Sequence, residues 1–425
     1  MKFLDFFAGI GGFHSGLEQS GHECVGYVEW DKYARTSYES LYNTKGLYTE
    51  YDIQVVKTEK LPQADIWCFG SPCTNISLAG NKKGLRGEQS GLFFEVMRIL
   101  NETSEERKPS YLFMENVKNL LSVNGGRDFA KVLLEMDEAG YDVEWQIINS
   151  SWVVPQNRER VFIIGHKRGR RTRRVFPLTS EEIGVEREYG VLKDALELVV
   201  DEKYNLSQEK LNQIKYFKDK FEINPNKVNA IANVSPTGYG RQNIISEEGI
   251  VPTLTAGLTK QSMRIATKVD RAFDARKHGL FGRNNEVIGT EGVSPTLLTS
   301  TGGGHIPNIL IKNATKEGYV VANDGDGIDF SYPNSNTRRG RVQKEKSHTL
   351  TTGGDIGTAV KDKFDKLLIR RLTPRECWRL QGFTDEQFDK AQAAGLSDTQ
   401  LYKQAGNAVT VPVIKKIAEK FEVKN

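Results

Sequence analysis

Cysteine is scarce in this chain of 425 residues: four are present, at positions 24, 68, 73 and 377. Their spacing is neither that of a disulfide framework nor that of a metal site, so a reducing compartment and no bound metal are expected. Long hydrophobic runs are missing too, and Met1-Lys2-Phe3-Leu4-Asp5 lacks the layout of a secretory leader. These absences point to a cytoplasmic protein without a membrane partner. Charge of one sign is not in large excess: 59 Lys+Arg against 55 Asp+Glu leave a net +4. That balance permits nucleic acid binding without requiring it. With 38% hydrophobic residues the chain can bury a sizeable core, and its length predicts a large domain plus a second module.

What is present is a series of apolar segments that end abruptly in glycine, proline or an acid. Ile66-Trp67-Cys68-Phe69 reads as a buried strand, followed by Gly70-Ser71-Pro72 and then Cys73. In open α/β sheets ligands sit at the carboxyl ends of strands. Cys73 is therefore placed either as a nucleophile or as an ordinary small buried thiol. Upstream, Lys2 to Phe7 reads as a first strand, Ala8-Gly9-Ile10-Gly11-Gly12 as a tight turn and Phe13 to Gln19 as a helix. This is the entry to a nucleotide-type site, although a plain glycine turn has the same composition. Cys24 to Glu29 reads as a second strand closing in an acid suited to ribose hydroxyls, with Trp30 available to an adenine face. Asp31 suits a helix start, and Asp52-Ile53 can line the same pocket.

Tyr111-Leu112-Phe113-Met114 leads into Glu115-Asn116-Val117, which brings a carboxylate out on the same sheet edge as Cys73 if the two strands are neighbours. Asp128 to Ala139 has helical periodicity, and strands are expected over Val143 to Ile148 and Arg160 to Ile164. Arg158 and Arg160, two apart at a strand entry, would point to one side and hold a carbonyl or phosphate; the alternative is a surface ion pair with Glu159. The segment 80–87, Gly-Asn-Lys-Lys-Gly-Leu-Arg-Gly, suits a lid.

Six separated motifs recur in a fixed order: Asp5-Phe6-Phe7-Ala8-Gly9-Ile10-Gly11-Gly12, Gly70-Ser71-Pro72-Cys73, Glu115-Asn116-Val117, Gln156-Asn157-Arg158-Glu159-Arg160, Arg371-Leu372-Thr373-Pro374-Arg375-Glu376-Cys377 and Gly406-Asn407-Ala408-Val409. Together they resemble the DNA cytosine-5 methyltransferases of bacterial and phage type. The match covers residues 1 to about 165 and 370 to 425, with Ser71 and Thr74 departing from the usual Phe and Gln.

The resemblance implies an α/β fold: a doubly wound mixed sheet, the S-adenosylmethionine-dependent methyltransferase fold, with a second, smaller, loop- and β-rich target recognition domain. It implies S-adenosylmethionine as methyl donor, near Phe6, Gly9, Gly11, Glu29, Trp30, Asp52, Ile53, Asn407 and Val409. Cys73, Glu115, Arg158 and Arg160 would act on the base. Boundaries are expected at 1–175 plus 404–425 for catalysis and 176–403 for recognition and hinge. The partner would be double-stranded DNA bound by a monomer, with a restriction endonuclease as a functional companion. A tRNA cytosine methyltransferase of the same fold, or a catalytically silent DNA-binding protein, remains open at this point.

The middle region shifts toward Gly, Thr, Asn and basic residues. Residues 166–174, His-Lys-Arg-Gly-Arg-Arg-Thr-Arg-Arg, suit either phosphate contacts or a solvated linker. Three segments, 249–255, 292–298 and 347–352, share a Thr-Leu core, each preceded by an arginine: Arg241, Arg283 and Arg341. In the resembling family a Thr-Leu pair belongs to target recognition, which makes these arginines and Thr349 candidate DNA contacts; a repeated structural turn is the other reading. Thr373-Pro374-Arg375-Glu376 predicts a capped helix start, and Val411 to Phe421 an amphipathic helix returning to the first domain.

Overall fold

Apolar segments four to seven residues long, punctuated by glycine and alternating with amphipathic stretches, commit the first third of the chain to β-α-β units. The computed structural model describes residues 1–70, 91–184, 189–206, 230–233, 243–246, 264–266, 309–333, 335–361 and 367–421. In order come β1 (Lys2–Phe6), α1 (Gly12–Glu18), β2 (Glu23–Val28), α2 (Lys32–Leu41), β3 (Tyr48–Glu50), β4 (Ile66–Phe69), α3 (Leu92–Glu102), β5 (Tyr111–Val117), α4 (Arg127–Glu138), β6 (Tyr141–Asn149) and β7 (Glu159–Lys167).

These strands form one sheet in the order β3-β2-β1-β4-β5-β7-β6. The pairs β2–β3, β1–β2, β1–β4 and β4–β5 are parallel, while β7 runs antiparallel to both β5 and β6. The sheet winds outward in both directions from β1 and β4, so the crevice at the carboxyl ends of those two strands is the topological switch point. All four residues of β4 are buried, as a central strand covered on both faces requires.

Side-chain alternation divides the core between the two faces. Leu4, Phe6, Leu112, Met114 and Ile163 pack with α3 residues such as Phe93 and Val96 on one side. Phe3, Tyr111, Phe113 and Ile164 pack with Phe13, Val413, Ile414 and Ile417 on the other.

The C-terminal part adds α5 (Pro374–Arg379), α6 (Asp385–Ala393), α7 (Asp398–Asn407) and α8 (Val411–Ala418). The capping box read from the sequence is present at α5. Thr373 Oγ1 accepts from Glu376 N at 3.2 Å, and Glu376 Oε2 accepts from Thr373 N at 2.8 Å. α8 lies against α1 so closely that a Cβ on Gly16 would stand 2.6 Å from Ile414.

By packing, Met1–Tyr204, Glu345–Ile356 and Arg371–Asn425 form one unit, and Asn205–Lys344 with Gly357–Arg370 the other. The expected boundaries at 175 and 404 thus differ from the packing boundaries. Residues 371–403 belong with the first unit because Trp378, Phe388, Leu401 and Ala405 share a core with Ile10. The second unit is β-rich. Its described strands are β8 (Ala230–Asn233), β9 (Asn243–Ser246), β10 (Arg264–Ala266), β11 (Ile309–Lys312), β12 (Tyr319–Ala322), β13 (Gly327–Asp329), β14 (Val342–Gln343), β15 (Ile356–Lys361) and β16 (Leu367–Arg371). Ile309, Ile311, Ile328, Phe330, Ala359 and Ile369 form its core. Among the described residues no helix is long and apolar enough to cross a membrane.

Candidate active site

The loop leaving β1 is built from alternating left-handed backbone: Phe7 at φ 57°, Gly9 at 57° and Gly11 at 85°. For glycine this is ordinary; for a phenylalanine it is strained, and such strain concentrates at functional loops. Glu29, one residue past β2, holds the loop in place. Its Oε2 accepts from Gly9 N at 2.8 Å and its Oε1 from Asp31 N at 2.7 Å. Burial pushes the Glu29 carboxyl above its ordinary range, against those two amides. Trp30 beside it is 73% exposed.

Asp31 caps α2 through Tyr33 N at 2.8 Å and pairs with Lys403 at 2.5 Å. Although burial opposes ionisation there, Lys403 and the helix amides hold its carboxyl below the usual range. Asp52 accepts from Gln54 N at 3.0 Å, opening the turn that buries Ile53. The structure separates the two phenylalanines of the motif that runs from Asp5 to Gly12. Phe6 is wholly buried, paired in register with Val28 and Phe69 and set edge-on to Trp67 at 5.2 Å. Phe7, half-buried and bent out of the strand, is the ring at the loop. Its signal was the strand register, which ends at Phe6.

β4 and β5 are indeed neighbours, with Phe69 opposite Met114. The chain leaves β4 at Gly70, where a Cβ would stand 3.7 Å from Glu115 Oε2, 3.9 Å from Phe13 and 4.0 Å from Val409. Cys73, three residues further on, lies outside the described residues, as do segment 80–87, Arg241, Arg283 and the first two Thr-Leu copies. Glu115 is buried at 7% exposure, and its Oε1 stands 3.0 Å from Arg160 Nε. β5 and β7 hold these groups on adjacent strands, Val117 opposite Arg160 and Glu115 opposite Phe162. The arrangement is a carboxyl and a guanidinium, both largely shielded from water, at the sheet edge where the chain heads for a thiol.

Arg158 does not join them. It precedes β7, so strand alternation does not apply, and its guanidinium is buried, donating to Gly406 O at 3.2 Å and Ala408 O at 2.8 Å. Glu159 pairs with Lys118 at 2.9 Å and with neither arginine. Arg158 clamps the α7–α8 junction, where Asn407 is exposed and Val409 closes on the cofactor-type loop: a Cβ on Gly12 would meet Val409 Cγ2 at 2.6 Å. A buried chain of amides and hydroxyls reinforces the clamp, Ser150 to Thr410 at 2.7 Å and Thr410 to Gln381 at 3.2 Å. This network escaped sequence reading because Ser150 and Arg158 lie more than 200 positions from Gly406, Ala408 and Thr410.

Two further candidates are also used inside the fold. Thr349 Oγ1 donates to Asn157 O at 2.7 Å, pinning the third Thr-Leu copy beside Gln156, and Leu350 enters the core. Arg341, a candidate DNA contact to a base or a phosphate, is wholly buried within the second unit, with Nη1 donating to Ser331 O at 3.1 Å and Nη2 to Tyr332 O at 2.8 Å. At least three of the six cations of the basic run pair with acids. Lys167 pairs with Glu105 at 2.8 Å, Arg168 with Asp142 at 2.8 Å and Arg174 with Glu144 at 3.6 Å, while Arg170 donates to Glu106 O at 2.8 Å.

The family model described as C-5 cytosine-specific DNA methylase matches residues 1–422. The chain belongs to that family. It is 33% identical to the orphan methyltransferase M.SPRI of Bacillus phage SPR, over 98% of this chain and 96% of that protein. To the putative type II methyltransferase M.BsuMIIP of Bacillus subtilis (strain 168) it is 31% identical, over 99% and 97%. Among solved structures, an Entamoeba histolytica methyltransferase, EhMeth, superposes with a TM-score of 0.53 at 15% identity, covering 99% of this chain and 97% of that one. At that identity the likeness is one of fold. As a DNA (cytosine-5) methylase, the chain has its acid–guanidinium pair on β5 and β7, next to the carboxyl end of β4, and carries a β-rich second unit.

Proposed function

We propose that this DNA cytosine-5 methylase forms a transient bond between Cys73 and carbon 6 of the target cytosine and takes its methyl group from S-adenosylmethionine. The observation that carries the reading is the Glu115–Arg160 pair at 3.0 Å beside Gly70, three residues ahead of Cys73. Cytosine carbon 5 is a poor nucleophile until carbon 6 is attacked. Addition of the Cys73 thiolate to carbon 6 pushes an electron pair toward carbon 5 and N3. Glu115, as a carboxylic acid, donates a hydrogen bond to N3 and stabilises that density. Arg160 holds the Glu115 carboxyl in place and can reach the base carbonyl. Loss of the carbon 5 proton to a base and expulsion of Cys73 restore the aromatic ring. The cytosine must leave the base stack to meet these groups, at a cost of a few kcal/mol.

The residues fit S-adenosylmethionine. At Gly9 no described residue lies within 4 Å of where a Cβ would stand, and Phe7 and Gly11 on either side of it are left-handed, which leaves the loop's backbone open to a ligand among the described residues. Glu29 keeps lone pairs free for ribose hydroxyls after accepting its two amide bonds. Trp30, Asp52 and Ile53 would border the adenine, and Phe7, Gly11, Asn407 and Val409 the rest. When bound, this group supplies an electrophilic methyl to carbon 5.

Double-stranded DNA is favoured as substrate over tRNA by the family to which the chain belongs. Residues 205–344 and 357–370 would supply target recognition, and the enzyme would act as a monomer in the bacterial cytoplasm, alone or beside a restriction endonuclease. The test is transfer of labelled methyl from S-adenosylmethionine to duplex DNA and, separately, to tRNA, with nucleoside analysis of the product. 5-Methylcytosine in duplex DNA is expected; label confined to tRNA would overturn the choice of substrate.

A further inference from the structure

In the second unit, one side chain is held where neither packing nor backbone preference puts it. Tyr332 is 66% exposed and left-handed at φ 49°. A bulky residue there is strained, and Pro333 next in sequence disfavours helical backbone at this position further. Among the described residues the ring enters no core, and it faces the Arg338 guanidinium, 5.9 Å from its centroid.

The fold spends a buried charge to hold this pose. Arg341 grips the loop through three main-chain carbonyls, Asp329 at 3.3 Å, Ser331 at 3.1 Å and Tyr332 at 2.8 Å. Asp329, itself buried, accepts from Ser331 N at 2.9 Å and from Arg338 Nε at 3.1 Å. Ser335 N closes the tip onto Tyr332 O at 3.0 Å, and Ala314 N ties Arg338 O to the β11–β12 hairpin at 2.8 Å. Around the tip, Asn336, Thr337 and Arg339 line the loop, and no acid occurs between 331 and 340. A preorganised aromatic ring flanked by cations and short polar side chains is the composition that contacts nucleic acid. Strain kept in a solvent-facing loop, with no core contact among the described residues to offset it, is what binding sites retain.

We propose that Tyr332 is a DNA-contacting, specificity-determining residue of the second unit, and that Arg341 is the positioning residue that fixes it rather than a reader of bases. The inference rests on the reading that this enzyme acts on duplex DNA through that unit. Arg338 and Arg339 supply the sequence-independent phosphate attraction beside the ring.

The test uses the full chain. Sequencing of DNA methylated by the wild type gives the target, from which a cognate and a mismatched duplex are made. Tyr332→Gly removes both ring and strain. It is expected to melt no lower than the wild type and to bind S-adenosylmethionine unchanged, but to bind the cognate duplex about tenfold more weakly, with the mismatched duplex unaffected. Arg341→Lys is expected to lose the same discrimination while keeping the salt dependence of binding. Unchanged cognate affinity and site choice in Tyr332→Gly would overturn the proposal, as would a lower melting point, which would make Tyr332 a packing residue. Equal loss on both duplexes with a shallower salt slope in Arg341→Lys would make Arg341 itself the DNA contact and overturn its positioning role. A wild type that leaves duplex DNA unmodified would instead refute the functional reading beneath it.

Discussion

Replacing Arg158 separates a clamp from a catalyst. Its buried guanidinium donates to the carbonyls of Gly406 and Ala408, and the junction they belong to packs Val409 against Gly12 at the start of α1. A hydrogen bond from a charged donor contributes about 1.5–3 kcal/mol. Arg158→Ala removes two and strands one buried and one half-buried carbonyl, so a loss of about 3–5 kcal/mol is expected. For a domain of roughly 150–250 residues each kcal/mol moves the melting temperature by about 2–4 °C, which puts the variant about 10 °C below the wild type. Arg158→Lys, with one ammonium for two carbonyls, should fall between. Because the junction borders the cofactor-type loop, affinity for S-adenosylmethionine should weaken in step with stability. Melting by calorimetry and cofactor titration on the same preparations provide the assay. An Arg158→Ala protein that melts with the wild type yet has no turnover would refute the reasoning and put the guanidinium on the substrate.

Other substitutions probe the site from different sides. Glu115→Gln should lower turnover by a factor of about 100 or more, with DNA affinity little changed, because it removes a proton donor used as charge builds on the ring; single-turnover rates with saturating DNA would show this. Gly11→Ala should weaken the cofactor loop by about 1 kcal/mol from the left-handed backbone alone, and by more because the new Cβ would run into the Tyr42 ring; urea denaturation with and without S-adenosylmethionine measures it. Asp5, wholly buried near the end of β1, has its carboxyl pushed well above the ordinary carboxylate range, first by burial. A carboxyl whose folded pKa is raised contributes stability that is full below its unfolded pKa and is lost as pH rises from there through the folded value. Asp5→Asn should therefore remove a decline in stability that begins above about pH 4 and runs at about 1.4 kcal/mol for each further pH unit until the folded carboxyl ionises; an unchanged pH profile would show that Asp5 titrates normally.

Much of the catalytic framework was legible in the chain, because β2 and β4 are followed at once by Glu29 and Gly70 and an acid, Glu115, stands near the end of β5. The strands β4 and β5, the amphipathic α4 and the capped start of α5 follow from local pattern alone, whereas the pairing of β4 with β5 was a condition only the structure met. What escaped was whatever depends on register or on distant partners. Phe6 and Phe7 are chemically identical, and only the end of the sheet register decides which one leaves the core. Arg158 and Arg160 look equivalent two positions apart, yet one precedes its strand and the other is inside it. Arg341 looked like a DNA contact because arginine is usually exposed; the carbonyls that bury it lie 9 to 12 positions upstream, in a loop whose shape no periodicity announces. The basic run from His166 likewise meets acids from residues 105 to 144, which composition cannot pair with it.

The covalent step is tested most directly with a duplex carrying the enzyme's own methylation site, its target cytosine bearing fluorine at carbon 5. Carbon 5 then holds no proton to lose, so the enzyme cannot release the base after methyl transfer. With S-adenosylmethionine present, the account expects a stable one-to-one complex that survives denaturation, with the modified nucleotide mapped by mass spectrometry to Cys73 and no such species from Cys73→Ala. An active preparation that turns over the unmodified duplex but yields no adduct at Cys73 on the fluorinated one would contradict it.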